Sequence, residues 1–201
     1  MAKYTTTDIR NIAMTGSAGA GKTTLVEMML NAAGEIGSVG SVEQGNTVCD
    51  FDELEKEYGH GIDSAVVHFD HNGSHVNIVD TPGSPGFIGK AVASFPAVET
   101  HVIMIDAGAG IDTMTRKLMS LGKDRQLPQV IVVNKLDHAN DLAGLLEQIQ
   151  STFGSVCRPI NLPTDSGSGV IDCFKNAEGD SDLGDISSFH TGIVDQVVEI
   201  D

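Results

Sequence analysis

Residues 16–23 read Gly16-Ser17-Ala18-Gly19-Ala20-Gly21-Lys22-Thr23. This stretch fits the pattern G-x-x-x-x-G-K-[ST] of a phosphate-binding loop. A mostly apolar run at residues 9–14 precedes the loop and predicts a strand, and apolar residues recur at helical spacing over residues 22–33. A strand, a glycine-rich loop and a helix in this order form the context that the motif requires. An ordinary glycine-rich turn is the alternative, and the lysine–threonine pair at the correct offset argues against it.

The chemistry of such a loop assigns a role to each of its parts. Its backbone N–H groups and the positive N-terminal end of the following helix hold phosphates. Lys22 is expected to reach the β- and γ-phosphates, and the hydroxyl of Thr23 is expected to bind Mg²⁺. Thr24 completes the predicted contacts of this segment with the nucleotide.

A second motif, Asp80-Thr81-Pro82-Gly83, follows a strand predicted over residues 75–79. Open α/β sheets place ligand-binding groups at the ends of their strands. We therefore expect Asp80 to hold Mg²⁺ through water, and the Gly83 N–H to meet the γ-phosphate. Taken alone, the tetrapeptide is equally consistent with a simple turn. Its position after the phosphate loop and a hairpin favours the ligand.

A third motif, Asn134-Lys135-Leu136-Asp137, follows the strand predicted at residues 130–134. The Asp137 carboxylate can accept hydrogen bonds from the N1–H and 2-amino groups of guanine. Adenine lacks this pair of donors, and a mismatched polar group discriminates strongly between ligands. A lone motif of this kind is often a solvated loop, but here it follows two others. It also argues against an ATP-dependent kinase, which would need selectivity for adenine.

The pattern of apolar runs predicts an α/β fold with a doubly wound, mainly parallel sheet. Buried Val- and Ile-rich runs alternate with helical segments, as in parallel sheets that are covered on both faces. Asn72-Gly73 predicts a hairpin turn, which adds an antiparallel edge. Residues 34–63 have no regular pattern. The predicted strands are 9–14, 64–69, 75–79, 102–106, 130–134 and 156–160, and the helices are 22–33, 113–121 and 141–153.

The character of the chain changes after Pro163. Residues 164–169 resemble a linker, residues 170–174 a strand and residues 186–200 a helix. We expect a nucleotide-binding domain over residues 1–163 and part of an inserted subdomain over residues 164–201.

Composition limits the partners and the compartment. The net charge of −16 argues against broad contact with a phosphate backbone such as that of DNA. No apolar run approaches the roughly 20 residues that cross a bilayer, so no membrane partner is expected. The three cysteines are far apart in the sequence, which indicates reduced thiols in a cytoplasmic protein. The hairpin histidines His68, His71 and His75 show no ligand geometry, and solvated side chains are the better interpretation.

With these motifs in place, the chain resembles the G domain of translational GTPases, specifically elongation factor G and its paralogues. The resemblance covers residues 9 to about 175. It implies binding of GTP and GDP with Mg²⁺, GTP hydrolysis, and association with the ribosome. The matching segments are 11–13, 21–24, 76–83, 133–137, 159–163 and 169–172, the last two being typical of an insert in elongation factor G.

The chain departs from the family pattern at several positions. Ser84 occupies the place of a histidine that orients the attacking water. Asp63, within His60-Gly61-Ile62-Asp63, occupies the place of a threonine that binds Mg²⁺, so Asp63 is a doubtful metal ligand and Ser64 a second source of the hydroxyl. The segment Ser17-Ala18-Gly19 replaces His-Ile-Asp. The family's fifth guanine motif does not occur before Asp201, which predicts a fragment of a longer protein.

These departures leave two functions open. The first is a GTPase switch with weak intrinsic hydrolysis, in which Ser84 holds the catalytic position. The alternative is a GTP-binding regulatory module with little or no hydrolysis.

Overall fold

A computed structural model of the chain describes residues 3–200, without the side chain of Ile200. The chain forms two compact units, Met1–Asn134 and Lys135–Asp201. The boundary predicted at residue 163 remains a prediction.

The strands of the first unit are β1 (Ile9–Gly16), β2 (Ala65–His71), β3 (Ser74–Asp80), β4 (Thr100–Asp106) and β5 (Gln129–Asn134). They form a five-stranded sheet in the order β2-β3-β1-β4-β5. All neighbouring strands are parallel except the hairpin pair β2 and β3. The register sets Met14 opposite Asp80 and Gly16 opposite Met104, so the segments after β1 and β3 leave the sheet at the same edge. This is the edge at which α/β sheets bind ligands.

Apolar side chains fill both faces of this sheet, which confirms the predicted doubly wound fold. Successive residues of a strand face opposite sides. Met14 accordingly packs in a cluster with Val26, whereas Ala13 packs in another cluster with Phe95 and Leu118. The helices of the first unit are α1 (Lys22–Ala32), α2 (Glu53–Tyr58), α3 (Ile88–Ser94) and α4 (Thr113–Asp124).

The segment 34–63 contains a helix, α2, where the sequence predicted only irregular chain. Asp52 caps this helix by accepting a hydrogen bond from the Leu54 N–H, and Glu55 accepts one from the Asp52 N–H. This reciprocal arrangement is a capping box, and the spacing of Asp52 and Glu55 was its local signal. The helix is too short to show a helical repeat of apolar residues, so the apolar pattern did not predict it.

The second unit contains two helices and two small antiparallel sheets. Its core combines Leu162, Cys173, Ile186 and Ile193. Among the described residues, no helix is long and apolar enough to cross a membrane. The elements are α5 (Leu142–Phe153), β6 (Asn161–Thr164), β7 (Gly169–Asp172), β8 (Asp180–Ser181), β9 (Gly184–Asp185) and α6 (Ser187–Ile200).

The strand predicted at residues 156–160 is wrong. Residues 154–157 form a turn, with the Cys157 N–H donating to the Gly154 carbonyl, and Pro159 has no N–H to give to a sheet. The strand starts later, at Asn161, and pairs with β7 instead of extending the main sheet. The predicted linker at residues 164–169 contains the turn of this hairpin.

Candidate nucleotide-binding site

The phosphate loop joins β1 to α1, as its sequence predicts. Gly21 precedes the helix with a φ of 93°, a conformation that favours glycine. A Cβ atom at Gly21 would overlap the side chain of Asn134, and one at Gly16 would overlap the backbone of Met104. These two glycines are therefore required by the close approach of neighbouring groups.

Lys22 lies folded into the loop and is only 7% exposed. Its Nζ atom donates to the carbonyls of Gly16 and Ser17, each at 3.0 Å. Burial lowers the pKa of this amine, and the charge of Asp80 partly offsets the effect. A cation held at the centre of a ring of backbone groups is suited to bind phosphate oxygens.

Thr23 and Asp80 meet beside this amine. The Thr23 hydroxyl donates to Asp80 Oδ2 at 2.6 Å, whereas Asp80 Oδ1 is buried and accepts no hydrogen bond of normal geometry among the described residues. Burial raises the pKa of Asp80 to about 6, against the lowering effects of Thr23 and Lys22. The nearby thiol of Cys49 acts on the same carboxylate and also lowers its pKa. A hydroxyl and an unpartnered carboxylate oxygen fit a hard cation such as Mg²⁺, which commonly takes one or two carboxylates together with phosphate oxygens.

The Asp80-Thr81-Pro82-Gly83 segment lies directly against the phosphate loop. Thr81 is fixed because its hydroxyl donates to the Met14 carbonyl at 2.8 Å. The Gly83 carbonyl accepts the Ala18 N–H at 3.0 Å. A Cβ at Gly83 would overlap both Lys22 Nζ and Ala18 N. The expected bond from the Gly83 N–H to a γ-phosphate remains a prediction.

The positions that depart from the family pattern take other partners. The Ser84 carbonyl accepts the Phe87 N–H at 2.9 Å and so begins a short turn. The Asp63 carboxylate lies 2.8 Å from Lys90 Nζ, and this hydrogen bond lowers the pKa of Asp63. The hydroxyl of Ser64 is buried without a partner among the described residues. The assignments of Ser84 to catalysis and of Asp63 to a metal remain untested.

The guanine motif divides between the two units. In the first unit, Asn134 Nδ2 donates to the Ala20 carbonyl at 2.9 Å, so this side chain stabilises the phosphate loop. In the second, Lys135 has a left-handed backbone with a φ of 56° and starts a short turn. The Asp137 side chain is 78% exposed, with its Oδ2 atom 3.3 Å from His138 Nε2.

Sequence reasoning missed Asp112, which caps α4 and accepts a hydrogen bond from the Thr115 N–H at 2.7 Å. Asp112 also accepts a hydrogen bond from the Ser17 hydroxyl of the phosphate loop. Burial acts to raise the pKa of Asp112, but the bonds from Ser17 and Thr115 hold it below its ordinary value. The position before a predicted helix indicated a cap, but no local signal indicated the link to Ser17.

A mainly parallel sheet with a phosphate loop after its central strand, and with Asp80 at the end of the adjacent strand, defines a phosphate-loop G domain. Residues 7–199 match the family described as elongation factor Tu GTP binding domain. The chain belongs to this family, which is that of the translational GTPases, and the resemblance inferred from the motifs is confirmed.

Similar proteins include several translation factors. An elongation factor G-like protein of Mycobacterium tuberculosis is 38% identical over 170 residues, covering 84% of this chain and 24% of that protein. The mitochondrial ribosome-releasing factor 2 of Culex quinquefasciatus is 37% identical, covering 85% of this chain and 23% of the relative. Peptide chain release factor 3 of Streptococcus sanguinis is 35% identical, with coverage of 83% and 34%.

A crystal structure of a protein from Thermus thermophilus matches 96% of this chain and 32% of its own, with a TM-score of 0.86 and 30% identity. The chain thus spans about a quarter to a third of the length of the relatives that it matches.

Proposed function

We propose that this chain is the nucleotide-binding part of a switch resembling elongation factor G, which binds GTP and GDP with Mg²⁺ and hydrolyses GTP slowly. The observation that carries the proposal is the buried, unpartnered Oδ1 atom of Asp80, beside the Thr23 hydroxyl and the Lys22 amine. An unsatisfied buried carboxylate oxygen is costly, and a water molecule held by a bound cation would satisfy it.

Each group has a definite task in this proposal. The N–H groups of the loop and the Lys22 amine bind the phosphates, while Thr23 and, through water, Asp80 hold Mg²⁺. The bound cation would neutralise negative charge on the phosphate oxygens. Ala18 currently gives its N–H to the Gly83 carbonyl. Phosphate binding at Ala18 therefore requires that Gly83 give up this contact.

Selectivity for guanine is assigned to Asp137. Its carboxylate is exposed and can accept the two donors of the guanine edge. ATP offers no such pair, and we expect GTP and GDP to bind more tightly than ATP.

Hydrolysis is expected to be slow because Ser84 cannot do what a histidine does at this position. A serine hydroxyl is shorter and carries no positive charge next to the charge that develops on the phosphate. A regulatory module with little or no hydrolysis is the second candidate, and the contact between Asp63 and Lys90 favours it. In that arrangement the carboxylate of Asp63 is engaged by the amine of Lys90.

Association with the ribosome and a cytoplasmic location belong to the same proposal. The ribosome is supported by the family membership and by the names of the relatives, which include a mitochondrial ribosome-releasing factor and a peptide chain release factor. The cytoplasmic location is supported by the three separate cysteines, which indicate reduced thiols. The acidic net charge points away from DNA as a partner.

Calorimetric titration with GTP, GDP and ATP, with and without Mg²⁺, tests the binding. Thr23→Ala should weaken Mg²⁺-dependent GTP binding by roughly tenfold, the effect of one hydrogen bond to a charged group. Thr23→Ser keeps the hydroxyl and is the matched control. Equal binding of GTP to wild type and both variants would contradict the assignment of the site.

Single-turnover hydrolysis with and without ribosomes separates the two candidates. Stimulation by ribosomes supports the switch, and no turnover in either condition supports the regulatory module. Ser84→His should raise the intrinsic rate if the missing histidine is the limiting group. An unchanged rate in this variant would show that another group limits hydrolysis.

A further inference from the structure

Two glutamates of the first unit are buried as completely as core residues. Glu27 of α1 is 1% exposed and Glu55 of α2 is 2% exposed. Both carboxylates accept hydrogen bonds from backbone N–H groups of the connection between α1 and β2. Buried carboxylates are rarely kept unless they make such bonds, so their partners identify what they do.

Glu27 ties two distant points of this connection to α1. Its Oε2 atom accepts the Gly40 N–H at 2.9 Å, and its Oε1 atom accepts the Val48 N–H at 2.5 Å. A Cβ atom at Gly40 would overlap the Asn46 carbonyl and press on Glu27. Only glycine therefore allows this close approach of the chain to α1.

Glu55 makes the corresponding contacts at the other end. Its Oε1 atom accepts the N–H groups of Ile62 and Asp63, at 2.8 and 3.1 Å. Its Oε2 atom accepts the Asp52 N–H at 3.2 Å. The Glu55 carboxylate thus connects the start of α2 to Ile62 and Asp63.

Further side-chain contacts complete the arrangement. The Thr47 hydroxyl donates to Asp50 at 2.7 Å, and both residues are buried. Asp63 forms its ion pair with Lys90 of α3 at 2.8 Å. We call residues 40–63 the clamped segment, because groups of the protein itself hold it at both ends and in the middle.

We propose that Glu27 and Glu55 are positioning residues that keep the clamped segment ordered whether GTP or GDP is bound. In many GTPases the switch loops are ordered by contacts with the γ-phosphate and Mg²⁺ and are released on hydrolysis. A ligand shifts a conformational equilibrium only by its different affinity for the two states. In the clamped segment the ordering contacts named above come from protein groups, so loss of the γ-phosphate leaves them in place.

The proposal rests on nucleotide binding as proposed above, but the two can fail separately. Cys49 provides a reporter, because it lies inside the clamped segment and is 4% exposed. Its reaction with a maleimide therefore requires the segment to open, and peptide mass mapping separates Cys49 from Cys157 and Cys173.

The first experiment needs no variant. The full chain is saturated with GDP and Mg²⁺, or with a non-hydrolysable GTP analogue and Mg²⁺, and labelling of Cys49 is followed with amide hydrogen exchange of residues 40–63. Both rates should agree between the two nucleotides within about threefold. Labelling that is more than about tenfold faster with GDP would overturn the proposal.

The second experiment removes the carboxylates in the chain without nucleotide. Glu55→Ala should speed amide exchange at Ile62 and Asp63 by roughly tenfold or more, the effect of losing hydrogen bonds to a charged acceptor. Glu55→Gln retains one acceptor oxygen and should restore part of the protection. Glu27→Ala should act in the same way at Gly40 and Val48.

Glu53→Ala is the matched control, since Glu53 is an exposed residue of the same helix. It should leave exchange in the clamped segment unchanged, and exchange in β4 reports any general loss of stability. Unchanged protection in Glu55→Ala would overturn the proposal, as would equal loss in Glu53→Ala. Failure of the chain to bind nucleotide would refute the proposed function, while these variants would still test the clamp.

Discussion

His101 makes the stability of the first unit depend on pH. The residue lies in β4 and is 0% exposed. Its Nε2 atom is 2.6 Å from the Thr15 hydroxyl, its Nδ1 atom is 3.3 Å from Gln129 Nε2, and its ring lies 4.5 Å from that of Phe95. Burial lowers the pKa of this imidazole from 6.5 to about 4. The folded chain therefore keeps His101 neutral where the unfolded chain would protonate it.

The sign and size of the effect follow from proton linkage. Below pH 6.5 the unfolded chain binds a proton at this position that the folded chain does not bind, so acid favours unfolding. The contribution of His101 is fully present above pH 6.5 and is lost as the pH falls toward 4. The full loss amounts to about 3 kcal/mol, and about 2 kcal/mol of it falls between pH 7.5 and pH 5.

The test compares urea unfolding of wild type and His101→Gln at pH 7.5, 6.5 and 5. Tyrosine fluorescence reports the first unit, because both tyrosines, Tyr4 and Tyr58, belong to it and the chain has no tryptophan. Other groups titrate in this range, so the relevant quantity is the difference between the two proteins. The free energy of unfolding of wild type should fall by about 2 kcal/mol more than that of the variant. Parallel pH profiles would refute the reasoning.

Three further predictions concern the nucleotide. Lys22→Ala should lower GTP affinity roughly ten- to a hundredfold, because a charge-assisted contact is lost, and titration calorimetry measures this. Asp137→Asn should shift preference toward xanthine nucleotides because the donor and acceptor roles reverse, and competition binding with GTP, XTP and ATP checks it; unchanged selectivity would exclude Asp137 from base recognition. Asn134→Ala removes the bond to Ala20 and should weaken GTP and XTP binding by the same factor of about five. A selective loss of GTP binding in this last variant would instead show that Asn134 reads the base.

Local patterns predicted the parts of the fold that depend on short stretches of sequence. The loop between β1 and α1, the hairpin turn at Asn72-Gly73 and the strands β4 and β5 are encoded by glycine spacing, turn residues and apolar runs. The prediction of a strand at residues 156–160 was wrong because it gave more weight to the apolar residues of this segment than to the missing N–H of Pro159. Helix α2 was overlooked because the capping residues at its start were not followed by an apolar repeat.

The contacts that shape the site were less accessible to sequence reasoning. The hydrogen bond from Ser17 to Asp112 and the bonds of Glu27 to Gly40 and Val48 join residues that are distant in the chain. A glutamate in a helix is expected on the exposed side, and only the path of the connection shows that Glu27 is covered. Asn134 was assigned to the base by its motif, whereas its contact with the phosphate loop depends on the packing of β5 beside β4.

Two departures from the family pattern, Ser84 and Asp63, fall in the hydrolytic and switching positions, and a third, Ser17-Ala18-Gly19, lies in the phosphate loop. Lys22 and Thr23 remain in place beside Asp80. The Asp63 carboxylate, by contrast, accepts a hydrogen bond from Lys90, and the Asp63 N–H donates to Glu55. A carboxylate close to a γ-phosphate would be repelled by it, and pairing with Lys90 holds the charge in another contact. The backbone N–H of Asp63 is also held, by Glu55. The presence of aspartate in place of the family's threonine therefore does not by itself release the clamped segment. We therefore expect that the Asp63→Thr variant, in which Glu55 is unchanged, keeps the clamped segment ordered with either GTP or GDP bound.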